Sequence, residues 1–210
     1  MADRNSYAAS PGRVVDIAAD IRAGSRTPTD AVQACLDRIA VVDEHVKAWV
    51  SVDTAGALAT AAEMNREAND GMLRGPLHGV PVAIKDICDV AGWPTHCNSR
   101  TRDDASVATA DAEIVTALRT AGAIIIGKTH TTEFAYYDPS PARNPHNIAH
   151  TPGGSSSGSG AAVGAGMVPA AIGTQTVASV NRPVAYCGVA AFKPSTRSMA
   201  TYGIAPLAPV

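Results

Sequence analysis

A segment rich in glycine and serine, at residues 151–160, constrains this chain more than any other feature. It is followed by a short apolar run at 161–172 and then by a second hydroxyl-rich turn at 173–183. The apolar run falls short of the ~20 residues that span a membrane, so the pattern predicts a buried helix over 158–167 and a strand near 169–174. Two flexible turns that carry serines therefore flank one buried helix.

A lysine at the end of an apolar strand adds a base to these serines. Lys85 follows the apolar run at residues 80–84, where loss of water lowers the pKa of an amine. Acyl transfer needs a hydroxyl at the carbonyl, a base for its proton and fixed donors for the oxyanion. Ser179 in the second turn offers the hydroxyl, and the serines at 155–157 could relay its proton. Each feature alone also has an ordinary interpretation, as a solvated strand end, a linker or a turn cap.

Helical and strand patterns alternate along the chain, which favours an α/β layer. Apolar residues at a spacing of three to four predict helices, and short apolar runs predict strands. The predicted helices cover residues 12–24, 28–42, 54–69 and 111–120, and the predicted strands cover residues 46–52, 80–84, 123–126 and 169–174. We interpret residues 1–70 as an N-terminal helical segment and residues 71–210 as an α/β core.

Composition excludes several classes of function. The chain has 210 residues, of which 46% are hydrophobic, so it can bury the core of one domain. A net charge of −2 and the absence of any lysine or arginine run argue against direct nucleic-acid binding. No leader pattern or membrane-spanning run is visible, and the four cysteines lack disulfide or metal spacing. We expect a cytoplasmic protein with free thiols and no membrane contact.

Metal and nucleotide sites are poorly supported. His146 and His150 are four residues apart and His130 lies upstream, but His146 follows a proline in a loop and no acidic or cysteine ligand has fitting spacing. The glycine-serine loop lacks the Gly-Lys-Ser/Thr ending that a phosphate-binding loop carries. We therefore expect no metal and no other cofactor.

Together the motifs resemble the amidase signature family. They are Pro-Val-Ala-Ile-Lys-Asp around Lys85, Asn-Pro-His-Asn at 144–147, Pro-Gly-Gly-Ser-Ser-Ser-Gly-Ser from 152, Gly-Thr-x-Thr-x-x-Ser-x-x-Arg-Pro from 173, and Tyr-Cys-Gly and Phe-Lys-Pro at 186–188 and 192–194. The likeness runs from about residue 12 to the last residue. It implies an α/β fold with a mixed β-sheet sandwiched by helices. Because members of the family are much longer, we expect the C-terminal part of that fold to be missing here.

The resemblance also implies a triad of serine, cis-serine and lysine. By position, Ser179 would be the nucleophile, Ser155 the bridging serine after a cis peptide bond, and Lys85 the base. Ser156 would hydrogen-bond near the lysine. The oxyanion hole would be formed by the backbone N–H groups of Thr176, Val177, Ala178 and Ser179.

Two further matches concern substrate and rate. Arg182, with Thr174 and Gln175, resembles the malonamidase-like branch, in which the arginine meets a substrate carboxylate. The alternative is a structural pairing of Arg182 with the loop. Val177 and Ala178 replace glycines of the family pattern, and we expect these changes to reduce or re-aim activity.

Three functions remain open from the sequence. The first is hydrolysis of a small carboxamide, with a carboxylate-bearing amide as one option. The second is a glutamine amidotransferase subunit of a tRNA-dependent complex, in which a partner would hold the tRNA. The third is a truncated, non-catalytic amidase remnant. The partners we consider are a small-molecule amide and either a second copy of the chain or a partner subunit.

Overall fold

The computed structural model describes residues 6–207. The first five residues of the predicted 1–70 segment and the last three residues of the predicted core lie outside that range. Its elements follow one another as α1 (Val14–Ala23), α2 (Pro28–Val46), β1 (Trp49–Val52), α3 (Thr54–Asn69), β2 (Pro81–Lys85), α4 (Glu113–Thr120), β3 (Ile124–Thr129), α5 (Ser157–Gly164), β4 (Ala170–Ile172) and α6 (Asn181–Cys187).

The strands form one mixed sheet in the order β1-β3-β2-β4. β2 lies between β3 and β4 and runs parallel to both, while β1 is antiparallel to β3. This confirms the predicted mixed α/β fold. β1 comes from the first 70 residues and pairs with a strand beyond them, and the division of the chain at residue 70 stays a prediction.

Helices cover both faces of this sheet, because alternate strand residues point to opposite sides. Ala83 of β2 and Ile124 and Ile126 of β3 pack with residues of α2, α3 and α5. Ile84 of β2 and Ile125 of β3 pack on the other side, with residues of α1 and α4. The last residue of β2 therefore ends between two apolar layers.

The helix signals read from the sequence are confirmed at α1 and α2. Gly24 ends α1 in the left-handed conformation, with φ 73°. At the start of α2 the Thr27 hydroxyl accepts from the Asp30 N–H, and the Asp30 carboxylate accepts from the Thr27 N–H, which is a capping box. Pro28 occupies the first turn, where its missing N–H costs nothing.

Several elements differ from the prediction. α2 continues past residue 42 to Val46, so β1 begins at Trp49 and not at residue 46. β3 continues past the predicted 123–126 through Lys128 and Thr129, both buried, because Gly127 lets β1 approach closely; a Cβ there would lie 2.9 Å from the Trp49 ring. α6 was not predicted, because its apolar residues do not form a helical stripe long enough to detect. Its start beside a proline and its end at Gly188, with φ 68°, were the available signals.

No helix within residues 6–207 is long and apolar enough to cross a membrane. The four cysteines are all buried and none of them forms a disulfide within this range.

Candidate active site

Lys85, the last residue of β2, is fully buried, with 0% of its surface exposed. Its Nζ donates to Oγ of Ser155 at 2.7 Å and to Oγ1 of Thr174 at 2.8 Å. Burial lowers the pKa of Lys85 to about 7, and a negative charge on Cys88 or Cys97 would raise that pKa. An amine with that pKa is partly uncharged at neutral pH and can then accept a proton.

Ser155 is held at the start of α5 by its backbone. The Gly154–Ser155 peptide bond is cis, and the Ser155 carbonyl accepts from the Thr132 N–H at 3.1 Å. Gly153 has φ +80°, a conformation that glycine adopts without strain. The Ser155 side chain, itself 3% exposed, faces the end of β2.

Ser156 connects α5 to the segment that follows β4. Its hydroxyl donates to the Thr174 carbonyl and accepts from the Thr174 N–H, both at 3.2 Å. A Cβ at Gly173 would lie 2.8 Å from that hydroxyl oxygen, so only glycine permits this approach. The Ser156 N–H also donates to the Ser179 carbonyl at 3.0 Å. Ser156 therefore fixes both Thr174, which contacts Lys85, and the backbone of Ser179.

The turn that carries Ser179 is open to solvent. Thr176 and Val177 are exposed or partly exposed, Val177 by 85%, and Ala178 and Ser179 are also reached by solvent. Within residues 6–207 the Ser179 hydroxyl has no hydrogen-bond partner, and no backbone N–H of residues 176–179 donates to another residue. Neither Val177 nor Ala178 has a positive φ, so valine causes no backbone strain there.

The end of this turn is fixed by Gln175. Its side-chain carbonyl accepts the N–H groups of Val180 and Asn181, each at 2.9 Å, at the start of α6. His146 lies 3.0 Å through Nε2 from the Cys187 carbonyl at the other end of the helix. Among the described residues, no three His, Cys, Asp or Glu side chains are grouped as metal ligands.

Arg182 is exposed on the first turn of α6. In the described part of the chain it has no carboxylate within 4.0 Å, and its guanidinium makes no hydrogen bond. The structural pairing with the loop that the sequence left open is therefore absent from this range.

The sequence interpretation missed a second buried lysine near the first. Lys128 of β3 forms an ion pair with Asp86, with Nζ and Oδ1 2.7 Å apart. Both side chains are shielded, at 1% and 0% exposure. The available signal was a lysine one residue beyond a short apolar run, which is similar to the signal at Lys85.

The fold and the site define a mixed-sheet α/β protein in which a buried lysine contacts a serine that follows a cis peptide bond, and the next residue, Ser156, holds the backbone of a serine on an open turn. The family model described as Amidase matches residues 30–210, and the chain belongs to the amidase signature family. This confirms the resemblance drawn from the motifs, while the malonamidase-like branch stays a prediction.

Relatives and solved structures agree with this assignment. The chain is 40% identical over 196 residues to one subunit of the glutamyl-tRNA(Gln) amidotransferase of Lachnospira eligens, covering 90% of this chain and 40% of that protein. A peptide amidase from Stenotrophomonas maltophilia superposes with a TM-score of 0.85 at 38% identity, covering 92% of this chain and 42% of the other. A component of an inhibitor-bound vestigial complex, related to the origins of an s-triazine catabolic enzyme, gives a TM-score of 0.88 at 32% identity, with 93% and 44% covered. The chain thus spans about two fifths of the length of the relatives it matches.

Proposed function

We propose that this chain carries the catalytic groups of an amide hydrolase, with Ser179 as nucleophile, Ser155 as bridging serine and Lys85 as base. The observation that carries the proposal is the 2.7 Å contact between Lys85 Nζ and Ser155 Oγ in a fully buried setting. A lysine that served only as a solvated strand end would project into water.

The proton path follows from this contact. In its uncharged form the Lys85 amine accepts the Ser155 proton across the same 2.7 Å, while it still donates to Thr174. Ser155 in turn takes the proton of Ser179 as the Ser179 oxygen attacks the amide carbon. Ser155 then gives a proton to the leaving nitrogen and recovers one from Lys85, so that the C–N bond breaks and an acyl ester remains on Ser179. Water repeats the sequence and releases the acid.

The free N–H groups of Thr176, Val177, Ala178 and Ser179 support an oxyanion hole in the Ser179 turn. They donate to no residue in the described range, so they are available to a developing negative charge. Backbone donors fixed before the reaction stabilise such a charge without reorganising. Ser156 and Gln175 hold the two ends of the turn and so limit its movement.

Arg182 supports a carboxylate-bearing amide as substrate. Its guanidinium lacks an acidic partner in residues 6–207 and lies three residues beyond the proposed nucleophile. A guanidinium binds a carboxylate through two parallel hydrogen bonds. We expect Arg182→Leu to raise KM about tenfold or more for an amide with a free carboxylate and to leave KM unchanged for its methyl ester; equal effects on both would rule out this contact.

A fluorophosphonate probe tests the proposed function. The purified chain is treated with the probe and digested, and the adduct is located by mass spectrometry. We expect one adduct, on Ser179, that is lost in Ser179→Ala and in Lys85→Ala. Ser198→Ala, which removes an exposed hydroxyl, is the matched control and should label like the parent. A folded chain without any adduct would identify it as a non-catalytic remnant.

The second candidate is the glutaminase component of an amidotransferase. It is favoured by the relatives named as subunits of glutamyl-tRNA(Gln) amidotransferases, which the chain matches at 40% identity. In this case ammonia released at Ser179 would pass to a partner that holds the tRNA. Co-purification of a second subunit together with glutaminase activity would support it, whereas hydrolysis of simple carboxamides by an isolated chain or homodimer would favour the first candidate.

A further inference from the structure

Two buried lysines lie on the neighbouring strands β2 and β3, offset from each other by one register position. Ile84 of β2 pairs with Lys128 of β3, and the next residue, Lys85, pairs with Thr129. Both lysine side chains are within 1% of complete burial. Their partners in the described range differ, because Lys85 contacts the hydroxyls of Ser155 and Thr174, whereas Lys128 contacts a carboxylate.

The two lysines project from opposite faces of the sheet. Lys85 points to the α5 side. On that side the hydroxyl oxygen of its register partner Thr129 is 2.9 Å from the hydroxyl oxygen of Ser159. Lys128 points to the other side, where its Nζ donates to the Pro94 carbonyl at 3.0 Å and to the Thr95 hydroxyl at 2.8 Å. Lys128 shares the face of its register partner Ile84, and Lys85, the next residue of β2, faces the opposite way. The register shift between Val82 and Ala83 places Lys128 on the face opposite to Ile126.

Asp86 is the critical neighbour, because it directly follows Lys85 in the chain. Its carboxylate lies 2.7 Å from Lys128 Nζ and accepts from the His96 N–H at 3.2 Å. Its own N–H donates to the Thr129 carbonyl at 2.9 Å, which continues the β2–β3 ladder past Lys85. The only acidic group adjacent to Lys85 in sequence is thus directed to the far face and matched there with a cation.

We propose that Lys128 and Asp86 are positioning residues for the reaction, paired across the far face of the sheet so that Lys85 is left with hydroxyl partners alone. The inference rests on the proposed role of Lys85 as the base. Removing Lys128 would leave an unpaired buried carboxylate on the residue next to Lys85. Removing the Asp86 charge would leave a second buried cation close to Lys85.

The other groups around Lys85 do not replace this carboxylate. On its own loop Cys88 is a thiol whose pKa is raised to about 12 by burial, and burial raises the pKa of Cys97 to about 11. Neither thiol is ionised near neutral pH. His130 lies near Asp86, Asp89 and Arg102 lie near these thiols, and α5 and β4 contain no titratable residue.

The test is the pH midpoint of Lys85 itself, followed through the Cε chemical shift in protein with 13C-labelled lysine. The chain contains only Lys47, Lys85, Lys128 and Lys193, so the signals are few and Lys85→Arg assigns the relevant one. We expect the Lys128→Met variant to raise the Lys85 midpoint by about one pH unit and Asp86→Asn to lower it by about one, the size expected for one buried charge roughly 10 Å away.

The double variant Lys128→Met with Asp86→Asn removes both charges and should restore the parent midpoint. Lys193→Met, which removes an exposed lysine, should not move it. A purely structural role would lower the stability of the single variants without moving the midpoint in opposite directions, and that result would overturn the inference. If Lys128→Met does not fold, the expected fall of the Lys85 midpoint in Asp86→Asn supports the inference, and an unmoved midpoint overturns it. If neither single variant folds, a Lys85 midpoint in the double variant that differs from the parent by about one pH unit overturns the inference.

This readout does not require Ser179 to react. Midpoints that move as stated in a chain that no serine probe labels would refute the proposed function and leave the pairing of Lys128 with Asp86 as an electrostatic device. Normal labelling of Ser179 with unmoved Lys85 midpoints would support the proposed function and refute the positioning role of Lys128 and Asp86.

Discussion

The two ends of the candidate site are built differently. The Lys85 end lies between two apolar layers, and its contacts with Ser155 and Thr174 are held by the sheet and by the start of α5. The Ser179 end is an open turn that carries an 85% exposed valine, and its hydroxyl has no partner in residues 6–207. The group proposed as the base is therefore buried, and the group proposed as the nucleophile is open to solvent.

This difference has a physical reason. A lysine becomes an effective base near neutral pH only when water is withheld from its ammonium form, which requires burial. A nucleophile and its oxyanion donors must instead remain accessible until substrate covers them. If the buried end controls the reactivity of the open end, substitutions at Lys85 should affect Ser179 more than substitutions within the turn.

The largest expected effect comes from removing the buried amine. Lys85→Met should slow labelling of Ser179 by a serine probe about 10³-fold, because the relay loses its terminal acceptor while an unbranched side chain fills the same space. Lys193→Met is the matched control on an exposed lysine. If the rate of Ser179 labelling in Lys85→Met stayed within about tenfold of the parent rate, Lys85 would not control Ser179, and the relay would be contradicted.

The same variant should change how stability depends on pH. The folded pKa of Lys85, about 7, lies below that of an unfolded lysine, so unfolding takes up a proton between these values and stability rises with pH in that window. The buried lysine therefore destabilises the fold most below about pH 7. Lys85→Met should gain about 3–4 kcal/mol relative to the parent at pH 6 compared with pH 10.

Urea unfolding of both proteins at several pH values measures this difference. A gap between Lys85→Met and the parent that stays constant across the range would show that Lys85 keeps its proton in the fold.

A smaller effect is expected at the link between the two ends. Ser155→Ala should slow Ser179 labelling about 10²-fold, since the proton path is broken but the oxyanion donors remain. Ser157→Ala, which removes a neighbouring buried hydroxyl that donates to the Ser155 carbonyl at 3.2 Å, is the control. Equal losses in the two variants would indicate a general disturbance of α5 instead of a broken relay.

The smallest effect is expected at the open turn. Replacing Val177 and Ala178 together by glycine should raise the rate of amide hydrolysis or labelling only a few-fold. Neither residue has a positive φ, so relief of backbone strain contributes nothing, and only crowding of the acyl oxygen remains to be relieved. No gain in rate would mean that the native residues are harmless.

The sequence was most informative where a local rule decides structure. The capping box at Thr27 and Asp30 and the left-handed Gly24 marked helix ends that the structure confirms. The motif order predicted that Lys85 and Ser155 meet although 70 positions separate them, a prediction that came from the family resemblance and not from periodicity. Their roles in catalysis remain proposals.

The sequence was least informative where packing decides. Lys128 looks like a strand end until the fold brings Asp86 to within 2.7 Å of it. The hydroxyl of Thr174, placed among substrate-binding residues by the resemblance, contacts the lysine at 2.8 Å. α6 depends on Gln175, a side chain that caps it from outside the helix and leaves no periodic signal.

The pH dependence of Ser179 labelling tests the central claim most directly, because the midpoint of the labelling rate reports how the protonation of buried Lys85 affects the reactivity of exposed Ser179. If an uncharged Lys85 drives the reaction, the rate of adduct formation at Ser179 should rise with pH through a midpoint near the Lys85 pKa of about 7 and lose that midpoint in Lys85→Met. A rate that is flat through neutral pH, or a midpoint that survives Lys85→Met, would contradict it.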